Sequence, residues 1–125
     1  MTDFFSDNID VKKLSYNELN ELANSLRKRI ISVTQKNGGH LASNLGAVEL
    51  TIALHKVLDL DKDYIVWDVG HQCYAHKFLT GRGELMKNLR HDGGASGFPS
   101  PAESPSDPFI TGHSGKSLSV ALGLA

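Results

Sequence analysis

The stretch Tyr64-Ile65-Val66-Trp67-Asp68-Val69-Gly70-His71 decides the fold class. It is short, rich in β-branched and aromatic residues, and ends at a glycine, which is typical of a buried strand in an α/β sheet. Ligands of open α/β sheets bind beyond the carboxyl ends of the strands. We therefore predict an α/β fold with a first strand over residues 64–69, and we place Asp68, Gly70 and His71 at the candidate site.

A helical lead-in is predicted before this strand, over about residues 14–58. Ser15 and Glu18 form the pattern of a capping box, and apolar residues then recur at helical spacing until Gly38. A second apolar run over residues 48–58 follows a turn at Gly46 and suits a helix packed against a core. We interpret His55 as an ordinary side chain on that second helix.

The region after the strand contains a long loop. Residues 72–79 and 84–90 suit short helices, residues 91–114 contain all four prolines of the chain, and residues 117–125 suit the first turns of another helix. Loops of this length in compact domains are often functional, so we expect the loop to lie over the site. One strand is too little sheet for a complete α/β domain. Residues 1–125 are therefore predicted to form part of a domain with an incomplete sheet, within a larger protein or a split one.

The composition argues against several classes of partner. The 13 basic and 14 acidic residues nearly cancel, so nucleic acid is not an expected partner. Residues 1–10 show no basic start followed by an apolar run, and no apolar stretch of membrane-spanning length occurs, so we expect neither secretion nor a membrane partner. Cys73 is the only cysteine and no internal disulfide can form. We expect a cytoplasmic protein in which Cys73 is a buried packing thiol.

The histidines near the strand do not form a typical metal motif. His71 and His76 are five residues apart, whereas two imidazoles on one helical face are four apart. His71 follows a strand and a glycine and is well placed to donate to a ligand. For His76, a ligand contact and a structural hydrogen bond both remain open.

A glycine-rich turn near the end of the chain favours an anion. Gly112, His113 and Ser114 stand just ahead of a helix start, where N–H groups and the helix dipole favour a group such as a diphosphate, although Ser114 as an ordinary N-cap is the alternative. A nucleotide-binding P-loop is excluded, because Ile110 stands where that motif requires its first glycine. The following Lys116 either adds positive charge there or points to water.

Several segments, taken together, resemble one enzyme family. The chain from about Leu14 onward closely resembles the 1-deoxy-D-xylulose-5-phosphate synthases. The run WDVGHQ at residues 67–72 separates this family from the transketolases, its wider relatives. The segments that carry the resemblance are 39–51 (GHLASNLGAVELT), 67–72 (WDVGHQ), 76–77 (HK), 79–82 (LTGR), 97–99 (GFP), 103–104 (ES) and 112–114 (GHS).

The resemblance implies a fold, an activity and a set of site residues. It implies the amino-terminal part of a transketolase-like, three-layer α/β domain that binds thiamine diphosphate. The implied enzyme is a magnesium-dependent homodimer that condenses pyruvate with glyceraldehyde 3-phosphate, with loss of CO2, for isoprenoid, thiamine and pyridoxal biosynthesis. His40, which alone suggests only a helix-end cap, matches an active-site histidine that faces substrate. His71, Gly112, His113 and Ser114 match contacts to thiamine diphosphate, and His76 is a weaker match.

The resemblance also implies that essential groups lie outside these residues. The Mg2+ ligands are expected beyond Ala125, and the glutamate that activates the cofactor belongs to a later domain. We therefore expect the chain alone to be inactive and to need the remaining part of the synthase. Two alternatives stay open, namely a non-catalytic remnant that acts as an interaction module, and a split transketolase subunit, against which the WDVGHQ run argues.

Overall fold

Helices make up the regular structure of the described chain. A computed structural model describes residues 9–125, so the interpretation of residues 1–10 concerns mostly residues outside the described range. A 3-10 helix comes first, and six α-helices follow it. These elements are the 3-10 helix Val11–Lys13, α1 Tyr16–Asn37, α2 Ala42–Leu45, α3 Val48–Val57, α4 Tyr74–Leu79, α5 Gly83–Met86 and α6 Ser117–Leu124.

Helix α1 begins at the predicted capping box. The Ser15 hydroxyl accepts from the Glu18 N–H at 3.3 Å, and the Ser15 N–H donates to the Glu18 carboxylate at 2.8 Å. These two bonds satisfy donors that a helix start leaves without intrahelical partners. At the other end, Gly38 takes φ +76° and its N–H donates to the Thr34 carbonyl, which stops the helix where the sequence predicts.

The core lies where α1, α3 and α4 meet. Helix α3 packs against α1, α4 and the 3-10 helix, and α1 also packs against α4. Most of the apolar positions predicted for α1 and α3 point into this core, but Leu50 and Val57 are exposed. Helix α4 and the following turn complete the core. Its fully or almost fully buried side chains include Leu22, Leu26, Ile30, Val48, Ile52, Tyr74, Phe78, Met86 and Leu89.

The predicted strand over residues 64–69 is wrong for the structure as described. The segment makes no β-ladder, and no strand occurs elsewhere in residues 9–125. A strand exists only where a neighbour pairs with its N–H and C=O groups. Ile65 and Trp67 are buried while Tyr64 and Asp68 are exposed, so the segment buries one face against the helices and has no pairing partner within the described residues.

Helices α4 and α5 are shorter than predicted. Helix α4 starts at Tyr74, two residues late, and α5 ends at Met86 although the sequence predicts a helix to Arg90. The loop ends α5, because the Ala95 N–H donates to the Leu85 carbonyl and the Arg90 N–H donates to the Ala95 carbonyl. Arg90 takes φ +65°, a conformation that cannot continue a right-handed helix.

The loop over residues 91–114 contains turns and irregular backbone. It packs over α4 as far as residue 107, where His76 and Lys77 of α4 contact Asp107 and Glu103 of the loop.

Helix α6 follows the loop and leaves Leu118 and Leu122 largely exposed, at 84% and 80%. Among the residues that the structure describes, no helix is both long and apolar enough to cross a membrane.

The capping box should contribute measurably to stability. We expect Ser15→Ala to lower the free energy of unfolding by about 1 kcal/mol, because the first turn of α1 loses the hydroxyl that accepts from the Glu18 N–H. Urea denaturation followed by circular dichroism measures the change. Ser32→Ala, at an exposed position within the same helix, is the control and should cost nothing. Equal losses in the two variants would contradict the capping role.

Candidate functional site

His40 and His71 lie side by side although 31 residues separate them. Their ring centroids are 5.2 Å apart and the planes meet edge-on at 73°. Phe98, from the long loop, lies against His40 with centroids 5.9 Å apart. The structure therefore brings together two of the imidazoles that sequence analysis assigned to the site, with the loop beside them as predicted.

The His40 imidazole is neutral at physiological pH. Partial burial, the adjacent His71 and the nearby Arg90 together lower its pKa from the ordinary value of 6.5. Burial disfavours the charged form of the His40 imidazole, and the neighbouring His71 and Arg90 disfavour a further positive charge beside them. A neutral imidazole donates from one ring nitrogen and accepts at the other, so His40 can either give or take a proton at a bound oxygen.

A strained turn holds His71 in place. Val69 has φ +63°, which is unusual for a β-branched residue, and Gly70 has φ +94°. A Cβ on Gly70 would clash with the Thr111 hydroxyl and would stand 2.6 Å from a Pro99 ring carbon. Only glycine fits there, and this close contact sets the Gly70-His71 turn directly against Thr111, next to Gly112.

Two buried polar atoms at this contact lack hydrogen-bond partners among residues 9–125. They are the Nδ1 atom of His71 and the hydroxyl oxygen of Thr111. Buried polar atoms are nearly always paired in native proteins, so each such atom calls for an explanation. Both atoms belong to the junction between the Gly70 turn and the segment that starts at Gly112, which is where sequence analysis expected a ligand.

The segment from Gly112 to Ser117 is largely exposed, and hydrogen bonds hold its far end. No hydrogen bond within residues 9–125 engages the N–H groups of Gly112, His113 and Ser114. Beyond them, the Asp68 carboxylate accepts from the Gly115 N–H at 2.7 Å and from the Ser117 hydroxyl at 3.2 Å. Asp68 thus lies at the site as predicted, but it serves as an anchor for the start of α6.

The alternative role of Ser114 as an N-cap does not occur. Helix α6 has Lys116 at its N-cap position, without a side-chain hydrogen bond to the helix. The side chain of Lys116 is exposed, and it borders a surface cavity together with Thr111, Gly112 and His113. Lys116 and two residues of the turn, Gly112 and His113, therefore line the same open space.

Sequence analysis missed Asn44, a fully buried residue of α2. Its amide group donates to the His40 carbonyl at 2.6 Å and to the His71 carbonyl at 2.8 Å, and it accepts from the Tyr74 N–H at 2.9 Å. Nothing in the sequence marks this residue, because two of its three partners are backbone atoms 27 and 30 residues away in the chain.

His76 is a structural residue bound to a carboxylate that sequence analysis also missed. The imidazole is fully buried, and its Nε2 lies 2.9 Å from Asp107. Arg82 forms a two-pronged ion pair with the same carboxylate, at 2.6 and 3.0 Å. Although burial opposes ionisation, the hydrogen bonds from His76 and Arg82 lower the pKa of Asp107, which is therefore a carboxylate at neutral pH.

The interpretation of His55 as an ordinary helix side chain is wrong. His55 is buried, and its Nε2 lies 2.9 Å from Nδ1 of His76. The two imidazoles are therefore joined by a hydrogen bond between these nitrogens. Burial, followed by His76 and Arg82, lowers the pKa of His55 to about 3. The helical spacing of Val48, Ile52 and His55 was a signal that all three share the buried face.

Lys77 and Glu103 complete this buried polar cluster. The Lys77 ammonium, which is fully buried, donates to the Ser96 carbonyl at 2.6 Å and to Glu103 at 2.9 Å. Glu103 also accepts from the Ser96 N–H at 2.6 Å and from Arg82 at 3.2 Å. The cluster fastens the long loop to α4 through Glu103 and Asp107.

Comparisons with known proteins identify the family. A sequence profile described as 1-deoxy-D-xylulose-5-phosphate synthase matches residues 3–125. The chain belongs to this synthase family. Curated synthases from Carboxydothermus hydrogenoformans and Dechloromonas aromatica are 60% and 59% identical to it over 116 residues, and one from Chlamydia abortus is 59% identical over 117 residues.

The chain corresponds to a small part of the synthases that it matches. Each of these alignments covers 93% of this chain but only 18% or 19% of the relative. The matched profile describes the amino-terminal region of the synthases. The resemblance found in the sequence is therefore confirmed, and the chain is an amino-terminal synthase segment.

Two further features of this synthase segment concern metals and thiols. Among residues 9–125, no group of three or more His, Cys, Asp or Glu side chains is arranged to hold a metal ion. Cys73 is buried as predicted, and burial raises the pKa of its thiol to about 12. A thiol with so high a pKa is not a nucleophile at neutral pH.

The buried His55 makes the stability of this segment depend on pH. In the unfolded chain its imidazole takes up a proton near pH 6.5, whereas the folded chain resists protonation down to about pH 3. The unfolded state therefore binds more protons in this interval, and the free energy of unfolding should fall by a few kcal/mol as the pH drops from 6.5 to 4.5. Asp107 adds to the loss only below about pH 4.

Urea denaturation at a series of pH values measures this slope. We expect His55→Gln to flatten it, because glutamine does not titrate. His91→Gln, which changes an exposed imidazole on the loop, is the matched control and should leave the slope in place. An unchanged slope in His55→Gln would show that another group causes the pH dependence.

Proposed function

We propose that this chain supplies the amino-terminal part of a thiamine-diphosphate site in a 1-deoxy-D-xylulose-5-phosphate synthase. The complete enzyme would condense pyruvate with glyceraldehyde 3-phosphate, with loss of CO2. The observation that carries the proposal is the edge-on meeting of the His40 and His71 rings beside the Gly112 turn. Family membership supports the choice of reaction.

The residues present fit a phosphorylated cofactor. The turn at Gly112, His113 and Ser114 offers N–H groups without internal partners, and it stands ahead of the N-terminus of α6. Such positions favour anions. The buried Nδ1 of His71 lacks a partner among residues 9–125, which a bound cofactor would provide. These features support His71 and the three turn residues as the groups that hold the cofactor.

His40 would act on the substrate side of the site. Thiamine diphosphate supplies the electron sink that decarboxylation requires, and the protein supplies orientation and proton transfer. The His40 imidazole is exposed and neutral, so it can donate a hydrogen bond to a substrate oxygen and hold or move a proton there. Phe98 packs against the ring and limits its motion.

The rest of the synthase would complete the fold and the site. Residues 64–69 bury one face but pair with no strand among the described residues, and α6 exposes Leu118 and Leu122. Both features support an α/β domain whose sheet is completed outside this segment. The rest of the synthase would also supply the Mg2+ ligands, and the complete enzyme would be a cytoplasmic homodimer. This chain by itself is expected to be inactive.

The test is His40→Ala in a complete synthase that contains this segment. We expect kcat to fall about 100-fold or more, the range of general acid–base catalysis, while the Kd of thiamine diphosphate changes less than threefold. His91→Ala is the matched control, since it removes an exposed imidazole from the loop. Steady-state kinetics and calorimetric titration give the two numbers. Normal turnover in His40→Ala would contradict the assigned role.

A further inference from the structure

We infer that Asn44 is a positioning residue that sets the distance between the His40 and His71 imidazoles. The inference rests on the proposed function, because it explains how the two site histidines meet. Asn44 touches neither ring through a hydrogen bond. It acts on the backbone that carries each of them.

The hydrogen bonds of Asn44 admit only one orientation of its amide. Backbone carbonyls can only accept and a backbone N–H can only donate, so Nδ2 must face the His40 and His71 carbonyls while Oδ1 faces the Tyr74 N–H. Both Nδ2 protons are used, at 2.6 and 2.8 Å. The side chain is fully buried, so water cannot replace these bonds.

Neither histidine is held by a regular element of its own. His40 follows Gly38 and Gly39, both at positive φ, in the gap between α1 and α2. His71 follows the strained Val69-Gly70 turn, before α4 begins. Strained conformations of this kind persist only where the surrounding structure holds them, so the distance between the two rings depends on contacts that bridge the turns.

Asn44 and Tyr74 form that bridge. Asn44 links the two carbonyls, and the Tyr74 hydroxyl accepts from the His40 N–H at 3.3 Å. Tyr74 is itself fixed by its N–H bond to Asn44 and by its place in the core. A Cβ on Gly39 would stand 2.8 Å from the Tyr74 hydroxyl, so the turn lies tightly against this phenol. The bridge therefore fixes the backbone of both turns from the buried side.

The first test uses the ligand-free chain and the variant Asn44→Ala, which introduces no charge. NMR detects the contact between the two rings as an NOE and follows the His40 titration. In Asn44→Ala we expect the NOE to disappear and the pKa of His40 to rise toward 6.5, because His71 moves away and the ring loses part of its remaining burial.

Asn37→Ala is the matched control. The Asn37 amide also donates to two backbone carbonyls, those of Val33 at 3.0 Å and Lys87 at 3.1 Å, but it bridges no histidine. This variant should keep the NOE and the His40 titration of the unmodified protein. If both variants behave alike, or if Asn44→Ala folds and keeps the NOE, the positioning role is wrong.

A measurement on the unmodified protein decides the matter if Asn44→Ala does not fold. Both side-chain amide protons of Asn44 should exchange slowly with solvent and should show NOEs to the segments of His40 and His71. Fast exchange of either proton would overturn the inference, because it would mean that the bridge is open.

Kinetics of the complete synthase separate this inference from the proposed function. We expect Asn44→Ala to lower kcat about 100-fold, as for a small displacement of a catalytic group, with a much smaller change in KM, and Asn37→Ala to leave both unchanged. Loss of the NOE with normal turnover would uphold the bridge and contradict the role of the histidine pair. An intact NOE would refute the bridge whatever the turnover.

Discussion

The buried carboxylate of Asp107 is the contact on which the arrangement of this segment depends. It accepts from His76, from both arms of Arg82 and from the Ser100 N–H. Its partners belong to α4, to the turn before α5 and to the loop itself. The loop in turn places Phe98 against His40 and Pro99 against Gly70. Asp107 therefore connects α4, the turn before α5 and the loop that lies against the histidine pair.

The cluster around Asp107 pairs opposite charges. Lys77 and Arg82 carry two positive charges, Glu103 and Asp107 carry two negative ones, and His55 stays neutral because burial, followed by the neighbouring His76 and Arg82, lowers its pKa. Desolvating four charges costs free energy, which their mutual attraction and the added backbone hydrogen bonds offset. The removal of any one partner leaves a buried charge uncompensated, so the cluster defines one arrangement of loop and helix. We infer that the cluster makes the packing of the loop against α4 specific.

Structural features that depend on neighbouring residues were predictable from the sequence, whereas features that depend on long-range contacts were not. The capping box of α1 and the apolar periodicity of α1 and α3 depend on neighbours within a few residues, and they appear where predicted. Residues 64–69 have the composition of a strand, yet strand formation needs a pairing partner that composition does not supply. The His40–His71 pair was accessible only through resemblance to a family, because 31 residues separate the two rings.

The residues that sequence analysis missed share one property. Each of them has a partner far away in the chain. Asn44 bonds to Tyr74 across 30 residues, His55 bonds to His76 across 21 residues, and Asp107 bonds to His76 across 31 residues. Residue type gave no indication, since buried asparagine and aspartate are uncommon and usually mark a specific polar network. His55 alone had a usable signal in the helical spacing of its neighbours.

The buried thiol of Cys73 can report when the core around the start of α4 opens. Cys73 is the only cysteine, it is fully buried, and it immediately precedes α4, between His71 and Tyr74. A thiol reagent can reach it only when that part of the core separates. The rate at which a thiol reagent labels Cys73 in native buffer therefore measures how often the segment between His71 and Tyr74 opens. No cysteine has to be introduced for this measurement.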